Sequence, residues 1–113
     1  SGRVTGVQTC ALPISKTQVL DEKTANYLAE FFRALSDSSR IRIISTLTNG
    51  EMNVSSLAEI VGISESAVSH QLRGLRQMRL VRARKDGRQV YYSLDDKHVT
   101  DLFQYGLEHI LHG

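Results

Sequence analysis

The sequence predicts a mainly α domain carrying one small β-hairpin. Apolar residues recur at intervals of three and four along several stretches, the period of helices buried on one side. That period breaks down once, in a β-rich stretch interrupted by Asp86-Gly87, a dipeptide that strongly signals a hairpin turn. The 113 residues suffice for one domain, marginal as a lone core and helped by dimerisation.

The start of the chain fits none of this. Residues 4–15 (VTGVQTCALPIS) have neither helical nor strand period and resemble the conceptual translation of a common sequencing-adapter oligonucleotide. Residues 1–15 are therefore expected to be an adapter-derived artefact without order, and the domain to occupy residues 16–113. The only cysteine (Cys10) and the only proline (Pro13) lie inside the excluded stretch. A signal peptide would need a longer apolar core. The remaining chain has no thiol, which makes disulfides irrelevant and points to the cytoplasm.

In residues 21–35, Ala25, Leu28, Ala29, Phe32 and Leu35 form the stripe of a first amphipathic helix. Ser36, Asp37 and Ser38 interrupt it and offer caps for a second, whose buried face is expected to be Ile41, Ile44 and Leu47 until Asn49-Gly50 ends it. Residues 54–61 read as a short third helix stopped by Gly62. Ser64 is placed to cap a fourth running to about Met78, with Val68, Leu72 and Leu75 inward and Ser66, Ser69, His70 and Arg73 outward. Two short helices joined by a tight glycine turn make a helix-turn-helix. A hairpin of residues 80–85 and 88–94, turning at Asp86-Gly87, follows it, so the pattern is a winged helix-turn-helix. A fifth helix, starting near Asp95 or Asp96, closes the domain.

Apolar content of 41% and charged content of 23% are ordinary for a soluble globular protein, and no run approaches membrane-spanning length. The net charge of +2 is less informative than its distribution. Seven of the fourteen basic residues fall within residues 73–88 against one acid, Asp86. Such a block suits a polyanion. The end that follows it is acidic and rich in histidine, and suits a cation.

That end holds Asp96, His98, His109 and His112. On one helix His98 and His109, eleven residues apart, share a face but are separated by about 16.5 Å at about 1.5 Å rise per residue. One metal ion, with ligand bonds of about 2 Å, cannot bridge that distance. The groups converge only if two copies of the helix lie antiparallel about a two-fold axis near residues 103–104. Asp96 and His98 of one chain then meet His109 and His112 of the other, giving two equivalent sites per homodimer. Gly106, near that axis, would permit close helix approach. Asp96, about 200° around from His98 inside a regular helix, would have to act from the N-terminal end, where an Asp is also a natural cap. Three histidines in a short polar helix are often just solvated surface, with Asp96 only a cap.

Residues 57–94, LAEIVGISESAVSHQLRGLRQMRLVRARKDGRQVYYSL, resemble the DNA-binding core of the ArsR/SmtB family of bacterial metal-sensing repressors. The resemblance extends through ALSDSSRIRIISTL (residues 34–47) and the fifth helix. In members sensing zinc or cobalt through that helix, an Asp-x-His pair is followed after ten residues by His-x-x-His or His-x-x-Glu. Asp96, His98, His109 and His112 reproduce this spacing without a gap. The resemblance therefore implies Zn2+ as effector, with Co2+ possible, bound between subunits. Where another branch carries a Cys-Val-Cys pair for thiophilic ions, this chain has Asn53 and Ser55, so that site is absent. Three imidazoles and a carboxylate suit zinc or cobalt in a tetrahedral shell.

The resemblance also implies double-stranded operator DNA as partner. Ser66, Ser69 and His70 would approach bases and phosphates in the major groove, with Arg73, Arg76, Arg84, Lys85 and Arg88 on phosphates. Glu65 departs from the glutamine common in relatives and would read a cytosine amine or point away. The family further implies that His109 donates its second ring proton to backbone near Arg79. An enzyme is disfavoured, since catalytic zinc keeps a ligand position open and four protein ligands leave none. A winged-helix regulator answering a non-metal effector is the alternative.

Overall fold

The computed structural model describes residues 19–113, and the expectation about residues 1–15 lies outside them. The elements run α1 (Glu22–Ala34), α2 (Ser38–Leu47), β1 (Met52–Asn53), α3 (Val54–Val61), α4 (Glu65–Gln77), β2 (Val81–Asp86), β3 (Gln89–Leu94) and α5 (Lys97–His112). Two compact units divide the chain, Ser1–Glu30 and Phe31–Gly113. In the first, Asp21 accepts a hydrogen bond from the Thr24 amide at the start of α1, whose Tyr27 and Leu28 are exposed.

The second unit is a winged helix-turn-helix. Each of its later helices starts where a short polar side chain takes up an amide of the first turn. Asp37 accepts from Arg40 N (3.1 Å), Asn53 from Ser56 N (2.8 Å) and Ser64 from Ala67 N (3.0 Å). Caps of this kind stabilise a helix by about 1 kcal/mol. Gly62 ends α3 in the left-handed conformation (φ +82°), which a residue without Cβ adopts freely, and so makes the tight turn into α4.

The core is one apolar cluster drawn from α2, α3, α4, the sheet and the start of α5. Ile43, Ile44, Leu57, Val68, Leu72, Leu75, Leu80 and Val81 are its most enclosed members. Burying each such side chain contributes about 1.5–3 kcal/mol relative to exposure. Val68, Leu72 and Leu75 face inward from α4, as their spacing predicts.

The structure corrects four details. In α2, Ile44 and Leu47 are enclosed as expected, but Ile43 (0% exposed) joins them in place of Ile41, which is 36% exposed on the rim of a groove that no other part of the unit fills. Phe32, expected within a buried stripe, is half exposed on that groove for the same reason. The hairpin turn is shifted by one residue: Asp86 pairs with Gln89, leaving Gly87-Arg88 as the two-residue loop. Gly87, at φ +64°, occupies the first loop position, where two-residue turns of matching twist need glycine.

The fourth correction is an additional strand. β1 pairs antiparallel with β3 (Met52↔Tyr92, Asn53↔Tyr91), giving a three-stranded sheet in the order β1-β3-β2. Two residues are too few to show a period of two, so the sequence offered no signal for it. Alternation then puts Val81, Tyr92 and Leu94 against the core and Arg84 and Tyr91 on the outer face.

At the far end of α4 the chain turns without glycine. Arg79 adopts φ +60°, Leu80 N donates to Leu75 O (2.9 Å) and Arg79 N to Arg76 O (3.0 Å). These are the paired bonds of a Schellman motif, sealed by the buried Leu75 and Leu80 side chains. The left-handed conformation costs about 1–2 kcal/mol for a residue with Cβ, and the enclosed Leu80 and Val81 hold it in place.

Candidate functional site

Two separate surfaces carry the predicted residues. The first is formed by α4 and the hairpin. Ser66, His70, Arg73 and Arg76 are exposed on the face of α4 opposite Val68, Leu72 and Leu75, and Ser69 is half-buried between the two faces. Glu65 is exposed in the first turn, where its charge opposes the positive end of the helix dipole. Lys85 and Arg88 are exposed at the tip of the hairpin.

Arg84 is differently placed from its neighbours. Its guanidinium is engaged by both oxygens of Glu51 (Nη2–Oε1 2.5 Å, Nε–Oε2 3.2 Å), lies 3.7 Å from Asp86, and is 5.1 Å from the centre of the Tyr91 ring. The bond to Arg84 holds the Glu51 carboxyl below its ordinary value, and Glu51 in turn raises the guanidinium above its own. Two carboxylates therefore already balance the charge of Arg84. Sequence reasoning missed Glu51 because only the β1–β3 pairing brings it beside the hairpin.

The second surface is α5, a helix of 16 residues spanning about 24 Å. Asp96 is its N-cap, accepting from Val99 N through Oδ1 (3.2 Å), while Oδ2 lies 3.5 Å from His98 Nδ1. The Val99 amide, assisted by His98, holds this carboxyl below its ordinary value. The His98 ring is 95% exposed. Toward the far end of the helix, His109 and His112 line a shallow depression with Tyr105 and Glu108. The structure thus brings the four candidate ligands together in two pairs, one at each end of α5. Among the described residues of one chain, no group of three or more His, Cys, Asp or Glu converges. An added Cβ at Gly106 would meet nothing within 4 Å, so this part of α5 is open.

An apolar groove of about 610 Å³ runs beside α5, lined among others by Phe32, Ile41, Ile60, Phe103, Leu107 and Ile110. Ile110 is 80% exposed, and Tyr105 and Leu111 are also largely uncovered. No helix of the described residues is long and apolar enough to cross a membrane.

Comparison with known proteins follows the same lines. Residues 37–83 match the model of the bacterial regulatory protein, arsR family. The chain is 50% identical over 93 residues to a transcriptional repressor SmtB homolog from Synechocystis sp., covering 82% of this chain and 70% of that one. The solution structure of apo-NmtR superimposes with a TM-score of 0.73 at 40% identity, over 96% of this chain and 88% of that chain. The homodimeric winged helix-turn-helix DNA-binding domain Mb0332 from Mycobacterium bovis, described as a possible ArsR-family regulator, gives 0.71 at 30% identity, over 79% and 84%. The chain belongs to the ArsR/SmtB family of bacterial transcriptional regulators.

Proposed function

We propose that this protein is a metal-responsive transcriptional repressor that binds operator DNA as a homodimer and is released when zinc, or cobalt, binds between the subunits. The observation that carries the reading is the division of Asp96–His98 and His109–His112 between the two ends of one exposed helix. Neither pair suffices for a tetrahedral shell, and an antiparallel partner helix would complete both. The uncovered apolar side chains of α5 and the groove beside it favour such a partner, as does the homodimeric relative.

The donor set fits the ion. Three imidazoles and one carboxylate suit zinc and cobalt, and the carboxylate has an oxygen to give: Oδ1 of Asp96 caps α5 while Oδ2 faces His98. A bound ion supplies a cross-link between the two α5 helices. Release then requires only that the cross-linked dimer hold its two α4 helices at a spacing that no longer matches successive major grooves.

Ser66, Ser69 and His70 on α4 are assigned to the major groove, and Arg73, Arg76, Lys85 and Arg88 to phosphates. Arg84 joins them only by exchanging Glu51 for a phosphate. The second ring nitrogen of His109 is assigned to the backbone near Arg79. That contact would couple the metal site to the end of α4.

The inter-subunit site is tested by complementation. His98→Ala and His109→Ala chains, each alone, are expected to lose zinc binding and zinc-dependent release. Mixed and refolded together, they regain one intact site per mixed dimer and partial release. Failure of the mixture to bind zinc, with each variant folded and dimeric, would overturn the shared site. A substitution that blocks only the contact near Arg79 is expected to keep zinc binding and lose release.

A further inference from the structure

One part-buried interaction of the second unit is explained neither by packing nor by the surfaces above. Arg40, in the first turn of α2, is half-buried and turns its guanidinium toward α4. Its Nε donates to Gln71 Oε1 (2.6 Å) and its Nη1 to the carbonyl of Ala34 (3.0 Å), one of the carbonyls that the end of α1 leaves without a helical partner. Its Nη2 lies where α4 has no side chain: a Cβ built on Gly74 would stand 3.3 Å from it. The main chain of Arg40 is held too, since its amide donates to the Asp37 cap.

Glycine inside a helix lowers its stability, so Gly74 has a cost that needs a reason. The notch it leaves admits the guanidinium. No carboxylate lies within ion-pairing distance of Arg40 among the described residues, so the planar fork is held by neutral acceptors at fixed angles. A lysine, with one ammonium in place of a fork, cannot reach both acceptors in the same geometry. Gln71 lies one residue from His70 and two from Ser69 and Arg73, within the turn of α4 that carries the exposed polar face.

We propose that Arg40 is a positioning residue for DNA recognition: by joining Gln71 and the Gly74 notch of α4 to the end of α1, it sets the angle at which α4 enters the major groove. The proposal rests on α4 being the DNA-reading helix. Arg40 itself would touch no DNA. A misaligned α4 loses base-edge contacts while exposed cations still find phosphates, so specific binding falls and non-specific binding does not.

The test compares the full chain with Arg40→Lys, Gln71→Ala and Gly74→Ala. Each is titrated from 50 to 200 mM salt with a duplex of the region upstream of its own gene and with a scrambled duplex, and melting is followed by circular dichroism. Gly74→Ala keeps every atom of Arg40 and raises helix propensity, so it guards against loss by unfolding. Arg40→Lys and Gln71→Ala are expected to lower affinity for the upstream duplex about tenfold, and Gly74→Ala a few-fold. Scrambled-duplex affinity and the salt slope should stay at wild-type values. Wild-type binding of the upstream duplex by all three folded variants overturns the proposal. So does a normal Arg40→Lys, which would make Arg40 a phosphate contact, or an equal loss on both duplexes. If the wild-type chain fails to prefer its upstream duplex, the DNA reading itself falls, and this proposal with it.

Discussion

Replacing Glu51 by glutamine should strengthen DNA binding. In the free protein the Arg84 guanidinium is shared by Glu51, through both carboxylate oxygens, and by Asp86 at 3.7 Å. Glu51→Gln removes one negative charge, taking the formal net charge from +2 to +3, and leaves Arg84 able to meet a phosphate at the hairpin. One added phosphate contact steepens the dependence of log K on log salt by about 0.9, which at 0.1 M amounts to about eightfold tighter binding. Fluorescence anisotropy of a labelled duplex over a salt series reads both quantities. In the double variant Glu51→Gln, Arg84→Gln the slope should return to the wild-type value if Glu51 keeps Arg84 from phosphate in the wild type. An unchanged slope in Glu51→Gln, or a reduced slope in the double variant, would refute the assignment.

The same pair predicts a pH dependence. Arg84 depresses the Glu51 carboxyl below its ordinary 4.5, so the folded state releases this proton more readily than the unfolded chain. The stabilisation is complete above about pH 4.5 and is lost as pH falls through the depressed value; acid titration of Glu51→Gln should lack that limb. Leu72→Ala, at a core position of α4 that is 1% exposed, should lower unfolding free energy by about 2–5 kcal/mol in urea titration. Ser64→Ala removes the α4 cap and should cost about 1 kcal/mol in the same assay. Asp96→Asn keeps an acceptor for the Val99 amide, so α5 and the melting temperature should be unchanged while zinc affinity drops by at least about tenfold.

Local chemistry decides what is legible in the sequence. Asp37, Ser64 and Gly62 punctuate the helices where short-range hydrogen bonding and φ freedom require, and residues 54–61 can be delimited from those signals alone. The inward side of α4 follows from Val68, Leu72 and Leu75. The four candidate ligands are readable because the rise of a helix is fixed, so the spacing of His98 and His109 alone dictates that they stand at opposite ends of α5. What escapes is set by distant parts of the chain. Neither the pairing of Met52 with Tyr92 nor the approach of Glu51 to Arg84 has a local signature. Ile41 and Ile43 are chemically alike, and only the position of the groove beside α5 decides which is enclosed. Arg79 turns the chain where a glycine would be expected, held by the buried Leu75 and Leu80 on either side.

In the proposed function, binding of zinc at the two ends of α5 opposes binding of DNA by α4. That opposition is tested most directly by titrating the protein with zinc and then measuring affinity for the duplex upstream of its own gene, with and without saturating metal. One zinc per chain and a loss of DNA affinity of at least about tenfold are expected, within the range of coupling between sites. Equal DNA affinity with and without zinc, or DNA binding intact in a chain that takes up no zinc, would contradict the proposed function and direct attention to an effector of another kind.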